Sequence, residues 1–180
     1  MGKYDQIDKV YFSDKERFAE LVTVGVFHNR LVMHKEDLEE QKALYPSARS
    51  DSGSIERDLF FACRKYGIMC GVEIEIKADY KMPVRIMTYD CGEYEKQLAE
   101  IERFHDEKKD LVGQEEFKSK LKRSDFILPV INLVLYLGVG RWHGRRTLRE
   151  MFQLPDQYKA YIGDRLQNYT YSCCAPLSLT

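Results

Sequence analysis

Charged and aliphatic residues alternate most sharply in Gly71-Val-Glu-Ile-Glu-Ile-Lys77. A strand sends successive side chains to opposite faces. The pattern predicts a strand from Ile68 to Lys77, with Val72, Ile74 and Ile76 turned to a core and Glu73, Glu75 and Lys77 in a row on the other face. Ahead of it, Asp58-Leu-Phe-Phe-Ala-Cys63 predicts a partner strand, and Arg64-Lys-Tyr-Gly67 a short hairpin turn. With a symmetric turn Cys63 faces Ile68, and counting back sets Asp58 opposite Glu73. Directly opposed residues lie on one face with β-carbons about 4.5–5.5 Å apart, so a third carboxylate joins the row unless a bulge intervenes.

The rest of the pattern is helical before and after this hairpin. Ser13 followed by Glu16 has capping-box spacing. A helix is expected over Asp14 to His28 with Phe18, Leu21, Val22 and Gly25 on one face. A polar helix is expected over Lys35 to Tyr45, ended by Pro46, then a small polar loop over Ser47 to Ser54. After the hairpin, a long helix is predicted over Pro83 to Asp106, with Met87, Cys91, Tyr94, Leu98 and Ile101 as its core stripe. The segment Asp110 to Ser124 is charged and reads as partly loop. The apolar run Phe126 to Leu137 reads as a central strand buried on both faces, closed by Gly138-Val-Gly140. A short helix around Thr147 to Phe152 and a last segment near Tyr158 to Tyr171 follow. The fold class expected is α/β, one domain over residues 1–180 with a mixed central sheet flanked by helices.

Composition narrows the function classes. The chain has 180 residues, 44% hydrophobic and 32% charged, with a formal net charge of −1. No global basic excess marks it for nucleic acid, so any such surface must be local. The five cysteines Cys63, Cys70, Cys91, Cys173 and Cys174 have no C-x-x-C spacing. They read as reduced thiols in a cytoplasmic setting, without a disulfide framework or structural zinc. The N-terminus lacks the apolar core of a signal peptide, and the run Phe126 to Leu137 is shorter than the roughly 20 residues of a membrane span. No membrane partner is expected.

Two readings of the acidic row stand side by side. Carboxylates in a row with an ammonium suit a divalent cation and the phosphate chemistry it supports, and they equally suit a solvated strand face. Three carboxylates close together repel and raise some pKa values. Magnesium relieves that penalty, since it takes one or two protein carboxylates together with waters and phosphate oxygens.

A strand carrying Asp58, a strand carrying Glu73-x-Glu75, and then a helix resemble the layout of the PD-(D/E)xK nuclease core. The chain resembles the recombination-promoting nuclease (Rpn)/putative transposase family, a branch of that superfamily. The resemblance covers most of its length. It rests on Tyr4 through Glu20, Glu56-Arg57-Asp58, Val72-Glu-Ile-Glu75, Met82-Pro-Val-Arg85 through Asp90, Phe126-Ile-Leu-Pro129 and Val134-Leu-Tyr-Leu-Gly138 with Trp142 beyond. It implies a restriction-endonuclease-like fold and Mg2+- (or Mn2+-) dependent DNA cleavage linked to recombination or transposition. It also implies Asp58 and Glu73 as metal ligands. Glu75 falls where a lysine or glutamine is expected. There it binds a second ion or leaves the cation to Lys77. Glu20 is the candidate accessory acid.

Two basic clusters offer phosphate contacts: Lys118, Lys120, Lys122 and Arg123, and Arg141, His143, Arg145, Arg146 and Arg149. The first also reads as a solvated face, and the second encloses Trp142. Arg85 either approaches a phosphate or pairs with Glu73 or Glu75. The leading expectation is a DNA endonuclease with Asp58, Glu73, Glu75 and Lys77 as catalytic residues. Symmetric cutting of a duplex favours a homodimer. The competing expectation is an inactive nuclease-like module that binds DNA or protein, and a third is a piece of a longer nuclease.

Overall fold

The computed structural model describes residues 3–46 and 53–175. Helices α1 (Lys3–Ser13) and α2 (Lys15–Gly25) lead into three short strands, β1 (Leu38–Glu40), β2 (Leu44–Pro46) and β3 (Ser54–Glu56). The hairpin β4 (Leu59–Cys63) and β5 (Ile68–Glu75) follows. Next come the long helix α3 (Met82–Lys108), α4 (Gly113–Ser119), β6 (Val130–Tyr136), α5 (Asp156–Ile162) and β7 (Ser172–Cys174). Five strands make one mixed sheet in the order β1-β4-β5-β6-β7, antiparallel as far as β5 and parallel from β5 to β7. Strands β2 and β3 pair separately. The fold is α/β, as expected, and no helix among the described residues is long and apolar enough to cross a membrane.

The hairpin register is the one counted from the sequence: Cys63 faces Ile68 and Leu59 faces Val72. Alternation then sorts the two faces of the sheet. Leu59, Phe61, Cys63, Cys70, Val72, Leu133 and Leu135 meet Phe18, Leu21 and Val22 of α2 in the main apolar core. The opposite face is covered by α3 and is more polar. Phe60, Ala62, Met69 and Val134 share it with buried Glu73 and Asn132. Neither face of β5 is solvated at Glu73, so the solvated-face reading fails there.

Several expected elements change. The helix expected over Lys35 to Tyr45 is instead a single 3-10 turn (Lys35–Asp37), β1 and β2. Its residues are good helix formers, but pairing with β4 and burial of Leu38 override that preference. The N-cap of α2 is Asp14, accepting from Arg17 N at 3.2 Å, rather than Ser13. Ser47 to Ser52 lie outside the described residues. Strand β5 ends at Glu75, leaving Ile76 half-exposed rather than in the core.

The stripe expected on α3 is also rotated. Cys91 is exposed, and Met87, Tyr94, Leu98 and Ile101 are half-buried. The buried positions are Met82, Pro83, Ile86, Tyr89, Asp90, Glu93 and His105. This helix buries polar groups because the sheet face beneath it is polar. At its centre Arg57 bonds both Asp90 on α3 and Asn132 on β6, and Asn132 Nδ2 donates to Asp90 at 2.9 and 3.1 Å. A glycine inside a strand marks a close approach: a β-carbon at Gly71 would overlap the Arg57 guanidinium. Gly71 thus lets Arg57 cross β5 and tie hairpin, helix and β6 together.

Removing one partner of a buried ion pair leaves an uncompensated charge, at a cost of about 3–5 kcal/mol. Arg57→Met is expected to lower unfolding free energy by that amount in a denaturant titration. Lys120→Met, which removes only an exposed pair with Asp106, is expected to cost under about 1 kcal/mol.

Candidate functional site

Beside this network, at the carboxyl end of β5, the acids of the hairpin gather, Glu73 and Glu75 on one arginine and Asp58 on a lysine. Asp58 sits just before β4, and its Oδ2 accepts the Ile74 backbone N–H at 2.8 Å. Its carboxylate therefore lies against the main chain between Glu73 and Glu75. Lys9 of α1 pairs with the other Asp58 oxygen.

Glu73 and Glu75 share the α3 side of β5, as the alternation required. Arg85, one turn into α3, reaches down to both. Its guanidinium bonds Glu73 Oε2, and Nη1 donates to Glu75 Oε1 at 2.7 Å and to Asp79 Oδ2 at 3.4 Å. Nε donates to the Tyr89 hydroxyl at 3.2 Å, and Tyr89 in turn donates to the Glu56 carbonyl at 3.0 Å. Pro83 in the first turn of α3 costs no hydrogen bond and helps fix where the helix that carries Arg85 begins.

Burial sets the electrostatics. Glu73 is 0% exposed, and desolvation pushes its carboxyl up to about 7, against the pull of the Arg85 guanidinium and with a further push from Asp58. Burial also raises Glu75, again opposed by Arg85. Glu73 Oε1 is buried and has no hydrogen-bond partner. Four carboxyl groups (Asp58, Glu73, Glu75, Asp79) thus face two cations (Lys9, Arg85). Fully ionised, the cluster lacks two positive charges.

The sequence-predicted residues divide accordingly. Asp58, Glu73 and Glu75 belong to one cluster. Lys77 does not join the row: β5 ends at Glu75, and Lys77 stands exposed in the bend beyond it, with no ion pair to the three acids. Arg85 takes its place as the cation, and it is committed to carboxylates rather than open to a phosphate. Glu20 is exposed on α2 and shares no hydrogen bond or ion pair with the cluster. Arg141, Arg145 and Arg146 are exposed in the loop after β6. Of the other basic cluster, Lys120 and Lys122 are paired with Asp106 and Asp110. Sequence reasoning missed Lys9, Asp79 and Tyr89 as site residues. Asp79 lies six residues before Arg85 in the connection to α3, a spacing with no motif to mark it. Burial pushes the Cys70 thiol up to about 12, which removes it as a nucleophile.

Hard oxygen donors, a deficit of two charges and an orphaned carboxylate oxygen fit a divalent cation. Among the described residues, no group of three or more His, Cys, Asp or Glu side chains is already placed to hold one. Arg85 bridges Glu73 and Glu75, and Lys9 occupies Asp58. No protein-family profile, curated protein or solved structure matches the chain.

Glu73 holds its proton more tightly folded (about 7) than at its ordinary value of 4.5. Its contribution to stability is therefore complete below pH 4.5 and is lost as pH rises through 7. Glu73→Gln removes the titration. In urea unfolding, the variant is expected to gain about 3 kcal/mol on the parent between these pH values, at about 1.4 kcal/mol per pH unit. A gap that does not change with pH would refute the buried-acid assignment.

Proposed function

We propose that the protein is a metal-dependent endonuclease that hydrolyses DNA phosphodiesters, with the Asp58, Glu73 and Glu75 cluster as its active site. The observation that carries this reading is the cluster's charge deficit around a buried, unpartnered Glu73 oxygen. The strand, strand, helix order that underlies the resemblance to PD-(D/E)xK nucleases supports it. So does a parallel strand (β6) returning beside β5 after α3.

In this reading Asp58, Glu73 and Glu75 hold Mg2+ (or Mn2+), which when bound supplies Lewis acidity to the reacting water and leaving oxygen. Glu73 releases its proton on binding, so affinity rises with pH. With Glu73 and Glu75 holding the ion, the planar fork of Arg85, now bonded to both, would be available to phosphate oxygens. It thereby supplies the positive charge that Glu75, at the lysine or glutamine position, cannot. Lys9 remains near Asp58 and limits the negative charge there.

One observation favours a second reading, an inactive nuclease-like module that binds DNA or protein. Arg85 and Lys9 already neutralise much of the cluster without a metal.

Plasmid DNA incubated with the purified protein is expected to be nicked or linearised only with Mg2+ or Mn2+. Asp58→Ala and Glu73→Gln are expected to lower the rate by at least about a hundredfold, the order of one lost electrostatic contact in a transition state. Arg85→Met is expected to cost more than Lys77→Ala. Cleavage undiminished in the first two variants, or no calorimetric binding of either ion, would hand the site to the second reading.

A further inference from the structure

Beyond β6 the chain crosses the end of the sheet beside the acidic cluster. Leu137 N donates to the Glu75 carbonyl at 2.8 Å. A β-carbon on the next residue, Gly138, would overlap the Ile76 carbonyl oxygen. The loop that follows is therefore held directly against the connection carrying Lys77, Asp79 and Tyr80.

This loop is anchored from inside. Trp142 turns in and packs edge-on against Tyr136 and Tyr171, with ring centroids 5.3 and 6.4 Å apart. The Tyr171 hydroxyl and backbone N–H are bonded to the carbonyls of Arg145 and Arg146. With Trp142 inward, His143 points outward and meets Tyr80 at 5.7 Å between ring centroids and 64° between planes. Both rings are open to solvent, Tyr80 by 54%.

The loop that carries His143 is rich in unpaired positive charge. Arg141, Arg145 and Arg146 are exposed and, among the described residues, form no ion pair. The acid within the loop, Glu150, is engaged with the Arg146 N–H and the Thr147 hydroxyl. In a chain of net charge −1, three exposed arginines without an ion pair, on the same loop as an open His143 ring, give that loop a definite chemistry. Cations track a phosphate backbone, and aromatic faces take bases whose own faces are free. In a duplex those faces are already stacked within the helix.

We infer that Tyr80 and His143, rimmed by Arg141, Arg145 and Arg146, form a stacking platform for an unpaired DNA strand entering the acidic cluster. This rests on the endonuclease reading and narrows its substrate to DNA with single-stranded or flipped-out nucleotides. Tyr80 follows Asp79, a partner of Arg85, by one residue, which sets the platform at the edge of the acidic cluster.

Fluorescence anisotropy of the full chain tests this, with a short labelled oligothymidylate and a hairpin duplex, both in EDTA so that nothing is cleaved. The single strand is expected to bind at least about tenfold tighter than the duplex, the order of one stacked base. Tyr80→Ala and His143→Ala are each expected to remove most of that preference, and Tyr80→Phe to keep it. Arg145→Gln with Arg146→Gln is expected to weaken both forms alike and to flatten the salt dependence. Equal affinity for the two forms, an equal loss on both in Tyr80→Ala, or no binding of the oligonucleotide overturns the platform. Strand preference without metal-dependent cleavage overturns the catalytic reading alone, and cleavage without strand preference overturns the platform alone.

Discussion

The ion pair between Arg85 and Glu73 is the interaction on which the candidate site depends. A carboxyl buried at the centre of a sheet is costly unless it is neutralised or paired. Here the two remedies oppose each other: desolvation raises the Glu73 pKa toward neutrality, while Arg85 pulls it down, holding one oxygen and leaving the other without a partner. The arginine reaches Glu73 only because α3 lies across the polar face of β5, and α3 lies there because Arg57, Asp90 and Asn132 fasten it to the sheet. The two networks are consecutive in space and in sequence, since Arg57 and Asp58 are neighbours and serve one each.

That arrangement divides the interior by chemistry. On the α2 side, aliphatic and aromatic side chains pack in the ordinary way around Phe18, Phe61 and Leu133. On the α3 side, apolar groups share the layer with charges that must all be paired. Such a layer contributes less net stability than an apolar one of equal volume. A protein that retains it at the end of a central strand places titratable oxygens where backbone and helix hold them still, which is how pre-organised sites are built.

Much of this was legible in residue order. The hairpin register followed from the alternation of Val72 to Ile76 and the length of the turn, because a strand's period of two leaves no freedom once one pair is set. The gathering of Asp58, Glu73 and Glu75 came with it. The stripe on α3 was misplaced for the opposite reason. Periodicity arguments assume that a helix buries its apolar face, and this helix covers a polar one, so Tyr89, Asp90 and Glu93 went inside while Cys91 stayed out. Lys77 failed as the site cation because two more residues of strand were needed to keep it in the row, and β5 stops at Glu75.

What the sequence by itself determined was therefore local: strand alternation, the hairpin and its register, the long helix, and the presence of three acids on one small piece of chain. Tertiary structure alone decided whether those acids face water, which cation answers them, and how β1 forms from residues with helical preference. Burial and charge pairing depend on what lies across the space from a residue, and the helix after β5 supplied Arg85, ten residues beyond Glu75, where the strand's own lysine did not serve.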